Sequence, residues 1–127
     1  MALSFTDREL DVMAVLWRHG SGTVAEVRQA LSEEFAYTTV LTVLRTLEDK
    51  GYVGHTAEGK AHRYHPLVKQ ETAGKHALER LLDTVFAGSR ERLLTQLVSD
   101  RGVDAATLQQ LRSLLDERLS EKKGKRS

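Results

Sequence analysis

From Thr6 to Leu67 the apolar residues change period once, from helical to extended, and that order limits the folds open to the chain. The first helical stretch opens with "TDRE". Thr6 and Glu9 form a capping box: the threonine oxygen takes an orphan amide and the glutamate reaches back. A helix is predicted from Asp7 to about Arg18, with Leu10, Met13, Ala14 and Trp17 on one face and Val12, Val15 and Leu16 widening it. Gly20 and Gly22 end it. A second box, Thr23 and Glu26 in "TVAE", starts a helix that runs to about Glu34 and turns Val24, Val27 and Leu31 inward. After "EEFAY" a third helix runs from Thr38 to just before Gly51. "GYVGHT" and "AHRYHPL" then read as strands joined by "AEGK", with Gly59 at the turn. Three helices followed by a hairpin is the order of a winged helix-turn-helix, and Ser21 to Val24 offers room for a short third strand.

The third helix has two unlike faces. Val40, Val43, Leu44 and Leu47 fall at i, i+3, i+4 and i+7, a stripe for packing on the first two helices. Thr38, Thr42, Arg45 and Asp49 fall opposite, with Leu41 and Thr46 beside them. Short hydroxyl side chains permit close approach to a DNA major groove, which admits one helix. A threonine offers a hydroxyl to a base edge or phosphate and a methyl to thymine; Arg45 reaches guanine or phosphate. Tyr37, Thr38 and Thr39 stand at the amino end, where free amides favour phosphate and where recognition helices meet bases. The plainer alternative is a solvated face on which Thr38 or Thr39 caps the helix. Gly51 suits a left-handed C-cap, and Lys50 complements the helix end and reaches toward a DNA backbone. In the hairpin, Lys60, His62 and Arg63 are the basic residues at or after the turn, placed for phosphate or the minor groove, with Glu58 opposing them.

After Pro66 the pattern is almost wholly helical. Ala73, Ala77, Leu81 and Val85 recur at four-residue steps beside Leu78, Leu82 and Phe86, until Gly88 breaks the run. Ser89 caps a helix with Leu93, Leu94, Leu97 and Val98; Gly102 breaks again. Asp104 caps a last helix with Leu108, Leu111, Leu115 and Leu119 on one stripe and Leu114 beside it. Helices this short are marginal alone in water and must pack on something. A second copy of the chain, meeting it through Leu81, Leu82, Val85, Leu108, Leu111, Leu115 and Leu119, is the working expectation, with a bundle inside one chain as the alternative.

Composition removes several classes of function. The chain has 127 residues, one proline and no cysteine, so disulfides and thiolate metal sites are excluded. No apolar run approaches the roughly 18 residues of a membrane span, and "MALSFTDREL" turns polar at once, so a soluble cytoplasmic protein without membrane insertion is expected. The net charge of +1 argues against non-specific wrapping of nucleic acid and leaves room for a small basic reading surface. His62 and His65 would lie on opposite faces of a strand, a poor chelate, so no metal is expected. No nucleophile has an evident base and there is no phosphate-binding glycine loop, so neither an enzyme nor a cofactor site is expected.

"AYTTV" with "LTVLRTLEDKGYV", "LSFTDRELDVMAVLW" near the start and "AHRYHPL" in the wing resemble the penicillinase repressor family of winged-helix transcriptional repressors. That group holds the β-lactamase and methicillin-resistance repressors and the CopY-type copper-transport repressors. The resemblance covers residues 3 to about 119 and is strongest up to Pro66. It implies a homodimer with an N-terminal winged helix, a C-terminal dimerisation domain, and repression from short palindromes, often with TACA and TGTA half-sites. Carried over by position, the recognition helix is Thr38 to Lys50, with Thr38, Thr39, Thr42 and Arg45 as readers, and the wing is Val53 to Tyr64. The copper repressors carry a cysteine cluster that this chain lacks. The β-lactamase repressors are cut at an Asn-Phe bond after a membrane sensor protease is triggered; Gln96 and Leu97 in "LLTQLVSD" stand opposite that bond, with different residue types.

The expected organisation is mainly α with a small β-hairpin wing. A winged helix-turn-helix DNA-binding domain covers residues 1–68, a helical dimerisation domain 69–121 and a disordered tail 122–127. The expected function is sequence-specific repression by a homodimer on a palindromic double-stranded DNA operator, with a membrane-sensor protease pathway as the candidate release route. Two other readings keep the same fold: a winged helix used for protein interaction, and a winged-helix regulator that binds a small-molecule effector.

Overall fold

A computed structural model describes residues 3–125. Its elements in order are α1 (Asp7–His19), β1 (Gly22–Thr23), α2 (Val24–Ala30), α3 (Tyr37–Asp49), β2 (Val53–Glu58), β3 (Ala61–Pro66), α4 (Gln70–Thr84), α5 (Arg90–Val98) and α6 (Ala105–Lys125). The chain is mainly α, with one small antiparallel sheet of order β1-β3-β2. It divides into two compact units, Met1–Glu79 and Arg80–Ser127, so the division falls inside α4 rather than after residue 68.

Both capping boxes form. Thr6 Oγ1 accepts from the Glu9 amide at 3.1 Å while Glu9 accepts from the Thr6 amide at 2.7 Å. Thr23 and Glu26 repeat the exchange at 3.2 and 3.1 Å. α2 stops at Ala30, short of the expected Glu34, because Leu31 turns extended. The cause is tertiary: Leu31 and Phe35 pack on the core, and Arg28 Nε donates to the Phe35 carbonyl at 2.8 Å, drawing the connection back. Arg8 lies over the Phe35 ring at 4.8 Å.

The first unit is built around Val12, Met13, Leu16, Val27, Val40, Leu44, Leu47, Val53 and Tyr64, all buried. In α1 the buried apolar set is Val12, Met13, Val15 and Leu16, whereas Leu10, Ala14 and Trp17 are half-buried. The expected face is thus rotated toward α3 and the sheet. Val40, Leu44 and Leu47 are buried on α3 as its spacing requires, and Val43 is half-buried. Where α3 ends, Gly51 takes φ +82, its amide donates to the Glu48 carbonyl at 2.9 Å, and the Tyr52 amide donates to the Leu47 carbonyl at 2.9 Å. This is a Schellman motif, which turns the chain into β2.

β2 and β3 pair from Val53↔Pro66 to Glu58↔Ala61, and β1 adds Gly22↔Tyr64 and Thr23↔Arg63. Gly22 is needed for this close approach, since a Cβ there would stand 3.1 Å from Val27. Trp17 Nε1 donates to the Val68 carbonyl at 2.9 Å and ties the segment after the wing to α1.

The second unit is helical. Ser89 Oγ accepts from the Arg92 amide at 3.2 Å and Asp104 from the Thr107 amide at 2.8 Å, so both expected caps form. Leu82 is buried, but no residue of α5 is. α6 continues through Lys125, so residues 122–125 are helical rather than a disordered tail; Arg126 and Ser127 lie outside the described residues. No helix among the described residues is long and apolar enough to cross a membrane.

Leu44 is fully buried where α3 meets α1 and α2. Leu44→Ala should lower unfolding free energy by about 2–5 kcal/mol, read from the denaturant midpoint.

Candidate nucleic-acid interface

The outward face of α3 carries the side chains expected of it. Tyr37, Thr38, Thr42, Arg45, Thr46 and Asp49 are exposed and Thr39 is half-buried. The helix begins at Tyr37, one residue earlier than its spacing suggested, and its N-cap is Ala36, which makes no side-chain cap bond. Neither Thr38 nor Thr39 is therefore the cap; both stand within the first turn. With no acidic residue in that turn and no side-chain cap bond, the amino end keeps its partial positive charge.

The threonines have a second role. Thr42 Oγ1 donates to the Thr38 carbonyl and Thr46 Oγ1 to the Thr42 carbonyl, each at 2.9 Å. Each hydroxyl proton is committed to the helix's own backbone. What remains for a ligand is an accepting oxygen and a methyl, so Thr42 suits an amino donor or a thymine methyl. Arg45 makes no side-chain hydrogen bond or ion pair among the described residues and is free to reach outward. Its charge lies near Tyr64, whose phenol is pushed up by burial and by the Glu48 carboxylate while Arg45 acts in the other direction.

Two of the expected basic contacts are committed elsewhere. Lys50 Nζ lies 2.9 Å from Glu9 Oε1 and donates to the Ser4 carbonyl at 3.3 Å. Glu9 is buried, and its carboxylate needs a charged partner, so Lys50 is drawn toward α1. In β3, Arg63 is held by Glu26, Glu58 and Ser21. Its charge is compensated by the Glu26 and Glu58 carboxylates.

The rest of the wing is as the alternation of strand side chains demands. Lys60 is exposed at the tip, after Gly59 at φ +62. His62 stacks on His55, with ring centroids 4.2 Å apart and planes at 10°. His55 Nδ1 in turn meets the Glu48 carboxylate of α3. His62 shares a face with Tyr64, and His65 takes the other. Among the described residues no group of three or more histidine and acidic side chains could hold a metal.

In the second unit, Leu81, Val85, Leu108, Leu115 and Leu119 are exposed, as is Leu114, while Leu111 is half-buried. Leu82 departs from the expected surface, since it is already buried in the single chain. Gln96 and Leu97 are both exposed within α5, so the bond between them is helical. The sequence signals missed the Lys50–Glu9 pair, the Arg63 cluster and the Glu48–His55–His62 contact. Lys50 and Glu9 stand 41 residues apart, and no local spacing could have joined them.

Three helices, the third with an outward face and an uncapped amino end, followed by a hairpin wing in a three-stranded sheet, make this a winged helix-turn-helix protein with a helical C-terminal region. Residues 5–117 match the penicillinase repressor family. The transcriptional regulator BlaI of Mycobacterium tuberculosis is 38% identical over 104 residues, covering 79% of this chain and 75% of that protein. The penicillinase repressor of Bacillus licheniformis is 26% identical over 120 residues, covering 93% and 94%. The solution structure of the DNA-binding domain of the repressor BlaI superposes with a TM-score of 0.51 and 32% identity, over 57% of this chain and 90% of that one. The chain belongs to the penicillinase repressor family.

Burial alone would raise the Glu9 carboxyl, but the hydrogen bond from Lys50, the Thr6 amide and the Lys50 charge together hold it below the ordinary carboxylate value. A depressed pKa contributes stability above its unfolded value, and that contribution is lost as pH falls through the folded one. Stability should therefore drop on acidification through and below the carboxylate range. Lys50→Met should shrink that drop, measured as urea midpoints across an acid pH series.

Proposed function

We propose that the protein is a sequence-specific DNA-binding transcriptional repressor that acts as a homodimer on a palindromic operator. The observation that carries this is the outward face of α3: an uncapped amino end, accepting threonine oxygens with methyls, and an arginine free of ion pairs. Placed in a major groove, Tyr37, Thr38 and Thr39 meet phosphate and the first base edges, Thr42 and Thr46 follow, and Arg45 reaches guanine or phosphate. Lys60 at the wing tip, with His62 behind it, lies against the neighbouring backbone or minor groove. A protein-binding face would be richer in large apolar side chains than this one. The names of the relatives, a transcriptional regulator and a penicillinase repressor, support the same reading.

We assign DNA binding to the first compact unit and self-association to the second. Leu81, Val85, Leu108, Leu115 and Leu119 leave too much apolar surface in water for so small a helical unit, and a second copy of the same surface is the natural cover. Release by proteolysis near Gln96 and Leu97 accompanies this proposal. α5 buries no side chain, so unwinding it to present an extended bond to a protease sacrifices little packing.

DNA from upstream of the protein's own gene should shift in a gel, and binding should weaken steeply with salt as counterions are released. Arg45→Ala should keep the fold and lose about 1–3 kcal/mol of discrimination between the site and a mismatched duplex. Salt-insensitive binding, or none to any short palindrome in that region, would remove this reading. Leu115→Asp places a charge in the proposed dimer surface and should sediment as a monomer; a variant that remains dimeric would move the interface elsewhere.

A further inference from the structure

We infer that Arg63 is a positioning residue: it locks the wing to α2 at a set angle and takes no part as a phosphate contact. The inference rests on the reading that α3 and the wing face DNA together. β3 is the central strand, and at Arg63 it is paired on both sides, with Thr23 of β1 and Thr56 of β2. The guanidinium spans three pieces of chain. Nη1 lies 3.2 Å from Ser21 Oγ and 2.9 Å from Glu26 Oε1. Nη2 lies 3.1 Å from Glu26 Oε2 and 3.0 Å from Glu58 Oε2, and Nε donates to Glu58 Oε2 at 3.1 Å. The loop before β1, the first turn of α2 and the outer end of β2 are thereby joined by one rigid, planar group.

Two features separate positioning from reading. One positive charge faces two carboxylates, so the cluster has no spare charge for a phosphate. The fork is also filled by geometry that an ammonium cannot reproduce, because a lysine offers a point charge and cannot address three acceptors in one plane. Glu26 also closes the capping box of α2, so the clamp fixes the wing against the helix that sets the angle of α3. Lys60 lies just past the end of β2, where a small change in the strand's angle becomes a large displacement.

The test uses the full chain and the duplex from upstream of its own gene, titrated over a salt series with the wild type, Arg63→Lys, Arg63→Met and Lys60→Met. Arg63→Lys and Arg63→Met should each weaken binding about tenfold, because a wing freed from the clamp must be ordered again on binding. Both should leave the slope of log K against log salt at the wild-type value, whereas Lys60→Met should reduce it by about 1. Arg63→Lys with wild-type affinity, or Arg63→Met with a slope reduced by about 1, would make Arg63 a phosphate contact and overturn the inference. A wild type with no salt-dependent binding would instead remove the DNA reading itself.

Amide hydrogen exchange tests the clamp without DNA. Arg63→Lys, and the milder Glu58→Gln, should speed exchange in β2 and β3 near the tip while α3 amides remain protected. Unchanged protection in both variants would overturn the clamp whatever the DNA result.

Discussion

The packing of one helix stripe underlies what the first unit presents outward. Val40, Leu44 and Leu47 of α3 are buried against α1, α2 and the root of the wing. That burial is what makes a helix of a segment holding four threonines, because short helices draw most of their stability from an apolar face held by neighbours. It also fixes rotation. Once the stripe faces inward, Thr38, Thr42 and Arg45 have only the opposite side available. The Thr42 and Thr46 hydroxyls turn back onto the helix, so residues with modest helical preference meet their hydrogen-bonding needs locally.

Around that core, several cations serve construction. Lys50 serves the buried Glu9, Arg63 serves Glu26 and Glu58, and Arg28 holds the Phe35 carbonyl. The 19 lysines and arginines are nearly balanced by 18 acidic residues, and a cation paired within the chain has less charge to offer a partner. On α3 and the wing, Arg45 in mid-helix and Lys60 at the tip then stand out by subtraction.

The second unit follows a different logic. Its caps and breaks are local and form where their residue types call for them, at Ser89 and Asp104. Its leucines do not find enough cover. Leu82 is buried, yet Leu81, Val85, Leu115 and Leu119 remain in water. The N-terminal unit thus has a closed core and the C-terminal unit an open one.

Much of this was legible in residue order. The two capping boxes, the Gly51 turn, the change from helical to strand period and the two faces of α3 depend on neighbours within a few positions, where hydrogen bonds and side-chain periodicity act. The early end of α2, the start of α3 at Tyr37 and the continuation of α6 through Lys125 were less legible, since element ends are settled by packing and capping geometry. The sequence alone determined which elements form and which face of α3 looks outward. Only the tertiary structure decided which charges are free to act. Lys50 and Arg63 read as DNA contacts in the linear order, and the fold pairs each with a carboxylate 41 and 37 residues away, because a buried or clustered carboxylate takes the nearest cation that the chain's path supplies.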